Sequence, residues 1–389
     1  METTPGSIGA LCEDALLEIL VRLPSKSVLR CRAVCKSWRR IATGRSFLAS
    51  HAARQPRQML VITRSGTVRA VPLSPEPTPA GDGDGMGQRG YLCDPIKRDK
   101  RGRYTSGGGS LLASLDGLLV LQQSPGNFVV CNPITRQWSR LPQVCPKTCS
   151  TVYPCGFYFH RPSGEYRVLC HVVEAERDSD SAWKYDYTDD YYITSTSGVM
   201  PRRLGPAPSS NHPIDKGYEY PVAWREILHW CSFRPEATSK GKILAFHTVA
   251  ETFRLMARPP GTTSAALLEL DGALCAVAFE GTTSLNIWVL QDYESERWML
   301  RDQVVVVQPL KSLRHGLVSV AISDGADVIL IRHRYNNSLV NLCDLKEKKV
   351  REIELVSFPW FLTFSESLVS HAFFQPPWCF ELGPIKFCN

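Results

Sequence analysis

Residues 29–41, LRCRAVCKSWRRI, set Cys31 and Cys35 four apart among five basic residues and Trp38. Three chemistries fit parts of this pattern. Paired thiolates can hold zinc, clustered Arg and Lys on a helix can meet phosphates, and small thiols beside apolar residues can pack. Zinc fails on ligand count, because it takes four ligands and residues 25–50 contain no His, Asp or Glu to complete the set. A nucleic-acid helix is disfavoured by the apolar Leu29 and Val34 on so short a segment, where a solvated basic face is the ordinary meaning of the run. Leu29, Val34, Trp38 and Ile41 fall near helical spacing, with Arg32, Lys36, Arg39 and Arg40 largely on the other side. The cysteines are therefore expected to pack, and the four basic residues to be solvated or to face an acidic partner.

Other candidate chemistry is sparse. CPKTCSTVYPCGFYFH brings Cys145, Cys149 and Cys155 near His160, but the spacing fits no standard zinc arrangement, and loop and strand positions are expected instead. Within residues 72–90, DGDG begins like a calcium loop without the Glu that would complete it. Residues 96–110, IKRDKRGRYTSGGGS, lack the G-K-[ST] ending of a phosphate loop. The histidines lie in unrelated segments, and neither a nucleophile elbow nor H-E-x-x-H occurs. No catalytic residue, metal site or cofactor is expected. RDSDSAWKYDYTDDYY, residues 177–192, carries five Asp, four Tyr and one Trp. Aromatic residues mixed with one sign of charge occur in recognition loops, which makes Trp183, Tyr185, Asp186, Tyr187, Asp189 and Asp190 candidate target-binding residues. A solvated loop leading into a strand at 191–194 is the plain alternative.

The elements that position these residues follow from composition and pattern. A chain of 389 residues accommodates one large all-β domain and a small module. The net charge of +7 is uneven: residues 1–60 hold ten Lys or Arg against four acids, whereas the rest is nearly balanced. The fourteen cysteines are scattered, and the start METTPGSIGALCED has neither a basic n-region nor an apolar h-region. Reduced thiols in a cytoplasmic or nuclear protein are expected. No apolar run approaches the ~20 residues that span a bilayer, so no membrane partner is expected.

In CEDALLEILVRLP, Leu16, Leu17, Ile19, Leu20 and Leu23 form a wide apolar stripe, with Glu13 and Asp14 in the first turn and Pro24 as a stop. Ser25 is expected to cap the next helix. Residues 11–50 resemble a plant-type F-box: the L-P-E-D-like start, EILVRLP, the KS-hydrophobic-LR step, VCKSWR and SFL follow in order, with Cys12 where the family usually has proline. The resemblance implies a helical module, residues 8–52, that docks an SKP-type adaptor and through it a cullin. By position it assigns Leu11, Leu16, Ile19, Leu20, Leu23, Pro24, Val28, Leu29, Val34 and Trp38 to adaptor contact and the module's core, without dividing the ten between them. Cys12 is expected to weaken the first turn, because proline there would fix φ for helix entry.

Downstream, LLASLDGLLVL, LLELDGALCAV and VSVAISDGADVILI share Asp-Gly between apolar residues, the strongest short hairpin signal; AWREILHWCSF is a degenerate fourth. After each comes strand, polar turn and strand, with Trp138, Phe253, Trp298 and Val350 in equivalent places. Four strands recurring every forty to fifty residues predict propeller blades. Units are expected near 60–73 with a closing partner from the C-terminus, then at 110–143, 155–205, 221–261, 265–308 and 316–356. This part is similar to the plant F-box-associated domain, a kelch-related family, in the order DGLLVL, CNPITRQWSRLP, GFYFHRPSGEYRVLCHV, LNIWVLQDYESERWMLRDQV and ESLVS.

The expected fold is a small all-α F-box module followed by an all-β kelch-like propeller of six irregular blades over 58–378, with a flexible loop region at 72–109 and a tail at 379–389. The resemblance implies a non-catalytic substrate-recognition subunit of an SKP–cullin–F-box ubiquitin ligase, its propeller binding a target protein. A propeller binding protein or enzyme outside any ligase is the alternative, and nucleic acid is not the expected partner.

Overall fold

The computed structural model describes residues 12–62, 67–73, 91–94, 110–144, 150–174, 188–208, 220–231, 242–262, 265–306, 310, 318–323, 327–333, 336–354, 358–374 and 385–387. Four helices come first: α1 (Glu13–Leu20), α2 (Ser25–Cys31), α3 (Lys36–Thr43) and α4 (Arg45–Arg54). Glu13 and Asp14 open α1, where the helix dipole favours negative charge. Cys12 precedes it with φ −64°, the value a proline ring would impose, so the backbone entry is the same without the ring. Two local expectations are corrected. Ser25 is the first residue of α2 rather than its cap, and its buried hydroxyl has no hydrogen-bond partner among the described residues. Cys35 is exposed and caps α3, its Sγ accepting from the Trp38 amide at 3.5 Å, whereas Cys31 is half-buried beside the module's core.

Six sheets follow. Five are four-stranded and sequential: β4–β7 (Ser110–Leu115, Leu118–Ser124, Asn127–Asn132, Gln137–Arg140), β8–β11 (Ser150–His160, Glu165–Glu174, Thr188–Ser195, Arg202–Gly205), β12–β15 (Val222–Trp224, Ile227–Cys231, Lys242–His247, Thr252–Ala257), β16–β19 (Ala266–Leu270, Ala273–Glu280, Ser284–Asp292, Arg297–Val305) and β20–β23 (Val318–Ser323, Val328–His333, Asn336–Asp344, Lys349–Glu354). The sixth draws on both ends of the chain. It orders β24 (Phe358–Phe364), β1 (Gln58–Ile62), β2 (Val68–Pro72), β3 (Tyr91–Asp94) and β25 (Lys386–Phe387). The six-bladed propeller is thus closed as the repeats predict. Two short strands correct the loop and tail expectations: Tyr91–Asp94 lies inside 72–109, and Lys386–Phe387 inside 379–389. Leu92, Cys93 and Ile385 are buried there, but strands of four and two residues are too short to show a period in sequence.

Alternation along each strand explains the stacking. In β5, Leu119 and Leu121 face the closing sheet, while Leu118 and Val120 face the β8–β11 blade with Phe157, Val168 and Val172. Every gap between successive blades holds such a cluster, so the middle strands are apolar on both faces. The turn between the first and second strands of a blade has positive φ at both central positions, at Asp116-Gly117, Asp271-Gly272 and also Arg225-Glu226. The last pair lacks glycine and is held externally: Thr248 donates to the Glu226 carbonyl through its amide and its hydroxyl, and Arg161 pairs with the Glu226 carboxylate. Trp138, Phe253, Trp298 and Val350 do occupy equivalent outer-strand positions, opposite Cys131, Phe246, Leu290 and Cys343. Asp324-Gly325 lies outside the described residues.

Gly117 separates two requirements that coincide at its turn. Its φ is +78°, and a Cβ there would lie 2.3 Å from the Cβ of Ser367, whereas Gly272 at φ +73° has open space around it. Gly272→Ala is therefore expected to cost about 1 kcal/mol from left-handed strain alone. Gly117→Ala should cost roughly 2–4 kcal/mol, since the Ser367 segment must also move. Urea denaturation of the two variants checks the difference.

Candidate functional site

The module divides the ten positions that sequence left together. Leu16, Leu20 and Val28 are buried with Val21, Ile41, Ala42 and Phe47 in its core. Leu23, Leu29 and Trp38 are half-buried at the edge of that core, and Pro24 is exposed. Ile19 and Val34 stand 47% and 64% exposed, the large apolar residues most open to solvent among those described in the module. Leu11 lies outside the described residues. Ile19, Val34 and the half-buried rim are thus the apolar positions left at the module's surface, while three of the ten are buried in its core.

The basic set also divides. Lys36 and Arg39 are exposed as expected, and Arg40 pairs with Glu13 at 2.6 Å across α3 and α1. Arg32 is the correction: its guanidinium is half-buried and donates to the Ala42 carbonyl at 3.2 and 2.9 Å and to the Leu368 carbonyl at 3.3 Å. Sequence put Arg32 on a solvated face because its acceptor lies 336 positions away. Leu368 belongs to a strap, residues 365–374, that follows β24 and sends this side chain into the module's core.

The module covers one face of the propeller. First-to-second and third-to-fourth strand turns share that face: Ile134, from the turn after β6, touches the module's core, and the strap crosses Gly117 in the turn after β4. The far face carries the second-to-third strand turns and the connections between blades. Inside the ring lies a cavity of about 630 Å³, bounded by Ala52 and Arg57 from the module side, by Val369 and His371 from the strap, and by the innermost strands. Arg57 reaches Glu269 of β16 at 3.7 Å. Tyr166 donates to Asp116 at 3.0 Å, and burial beside that carboxylate raises the phenol's pKa. His229, also on the cavity wall, bonds Tyr293 and the Val222 carbonyl, and burial pushes its pKa down to about 4. Among the described residues no group of three or more His, Cys, Asp or Glu could hold a metal ion. Cys155 is buried in β8 and donates to the Leu169 carbonyl, while His160 bonds Ser163; Cys145 and Cys149 are outside the described residues.

The candidate target-binding set is only partly described. Trp183, Tyr185, Asp186 and Tyr187 lie outside the described residues, and Asp189 is placed in β10 opposite Val173. Asp190, opposite Val172, receives a bidentate pair from Arg203 at 2.8 and 2.9 Å, so its charge is engaged within its own sheet. Sequence missed a nearby cluster, because its members are far apart in the chain. Glu251, at the turn between β14 and β15, accepts from Tyr158, Arg167 and Arg202 of the β8–β11 blade. Burial alone would raise the Glu251 pKa, but these donors hold it below the usual carboxylate range.

The fold is thus a four-helix module fixed to one face of a closed six-bladed propeller. Residues 8–50 match the F-box domain, and residues 100–375 match the F-box associated beta propeller domain. The chain therefore belongs to the plant F-box proteins that carry an F-box-associated propeller. It is 24% identical to F-box protein CPR1 of Arabidopsis thaliana over 89% of this chain and 84% of that one. F-box protein At3g07870 of Arabidopsis thaliana is 26% identical over 75% of this chain and 72% of its own. Among solved structures, an oligogalacturonate lyase in complex with manganese aligns with 64% of each chain at 13% identity and TM-score 0.39, a likeness too distant to carry chemistry between them.

The channel wall makes stability depend on pH. His229 stays neutral in the folded chain down to about pH 4, whereas an unfolded histidine takes up its proton near pH 6.5. Between those values the unfolded state binds more protons, so stability falls as pH drops through the window, by up to about 3 kcal/mol at its lower end. Denaturation curves across this range should show His229→Gln losing less than the wild type.

Proposed function

We propose that this chain is the substrate-recognition subunit of an SKP–cullin–F-box ubiquitin ligase. The observation that carries this reading is the exposed Ile19 and Val34 on an F-box already packed against a propeller. A module of this size leaves apolar surface that only a partner can cover, and an SKP-type adaptor is the partner of an F-box. The cullin joins through the adaptor. The chain itself supplies no chemistry: it raises the effective concentration of a target's lysines near a ubiquitin-charged carrier enzyme. The work is proposed to take place in the cytoplasm or nucleus.

The far face is the proposed target surface, because the module, the strap and Arg57 already occupy the near one. The β9 and β10 ends, Glu174 and Thr188, lie on that far side, and the residues joining them include Trp183, Tyr185, Asp186 and Tyr187. Those four side chains are proposed to touch the target, with Asp190 held as part of the sheet.

The choice of variants for adaptor binding follows from burial. Leu20→Asp would place a charge in the module's core and confuse unfolding with lost docking, whereas Ile19 and Val34 are surface positions. The double variant Ile19→Asp, Val34→Asp should melt within a few degrees of the wild type and bind a purified SKP-type adaptor at least about 100-fold more weakly, by calorimetric titration. Equal affinity for wild type and variant would remove these residues from the contact.

A further inference from the structure

Two modules joined only by residues 55–57 would swing freely; here a second connection joins them. The strap leaves β24 and contributes Leu368, 2% exposed, to the helical core. Its backbone is held from both sides. Asn132 of β6 donates through Nδ2 to the carbonyls of Ser367 at 3.0 Å and Val369 at 3.3 Å, and Gln137 donates to Ser370 at 2.9 Å. Between those two Asn132 acceptors, the Leu368 carbonyl turns the other way and accepts from Arg32. Arg32 in turn holds the Ala42 carbonyl in the last turn of α3, where a cation is favoured by the helix dipole.

We propose that Arg32 is a positioning residue: bridging Ala42 and Leu368, it clamps the F-box to the strap and fixes the distance between the adaptor-docked end and the far propeller face. The inference deepens the ligase reading, because ubiquitin transfer depends on where the target is held, not only on its being bound. A planar guanidinium can span two carbonyls, and a lysine ammonium reaches them only as a point donor. The bridge therefore requires Arg, although charge alone would suffice for a solvated face.

The test uses single-molecule energy transfer on the full chain, with dyes on non-natural residues at exposed positions Ser50 in α4 and Thr282 in the far-face turn after β17. The wild type should give one narrow distance distribution. Arg32→Gln and Arg32→Lys should each broaden it at least about twofold while leaving the melting temperature and adaptor affinity close to wild type. Leu368→Ala should broaden it further. A width unchanged in folded Arg32→Gln overturns the proposal, whatever Leu368→Ala does. Adaptor affinity measured on the same samples keeps the two ideas apart: a wild type that binds no SKP-type adaptor ends the ligase reading, whatever the widths show.

Discussion

A ring of stacked sheets buries both faces of every blade only if the ring is closed, and here one sheet built from both chain ends closes it. β24 pairs with β1 in a register that sets Gln58 opposite Phe364. That single antiparallel pairing decides where everything else goes. The chain enters the propeller from α4 at one end of the pair and leaves it into the strap at the same end. The F-box and the segment that locks it are thus delivered to one face, side by side. Short outer strands β3 and β25 finish the sheet and cover apolar Leu92, Cys93 and Ile385.

The division of labour follows from that delivery. One face is taken up by the module and strap, and the opposite face is the one proposed to meet a target. The apolar residues of the helical unit split accordingly. Those turned toward the propeller meet Leu368 and Ile134, those between helices form the core, and Ile19 and Val34 remain exposed. Between the β8–β11 and β12–β15 blades, the half-buried Glu251 joins Arg167 and Tyr158 in a polar cluster that adds to the apolar packing of that gap.

Much of this architecture was legible because it rests on local signals. Asp116-Gly117 and Asp271-Gly272 announce their turns through glycine's freedom at positive φ, and even Arg225-Glu226 was found by its place between apolar runs. A second local signal marks the third-to-fourth strand turns. Asn132, His247, Asp292 and Asp344 each cap the following turn from the same position, four residues before Arg136, Glu251, Glu296 and Lys348 at positive φ. What sequence could not show is long-range. Arg32 looks solvated until its acceptor at Leu368 is known, Cys35 looks like packing until the Trp38 amide is placed, and burial alone separates Leu20 from Ile19. The pairing of Asp190 with Arg203 of the neighbouring strand likewise has no local signal in the sequence.

The central claim is that a partner covers Ile19 and Val34 while the propeller holds the module from the other side. A structure of this chain bound to an SKP-type adaptor, determined by cryo-electron microscopy or crystallography, tests it most directly. The account predicts adaptor atoms against Ile19, Val34 and the Trp38 edge, with Leu368 still in the helical core and Arg32 still on its carbonyl. An adaptor docked elsewhere on the chain, or a module pulled away from the strap on binding, would contradict it.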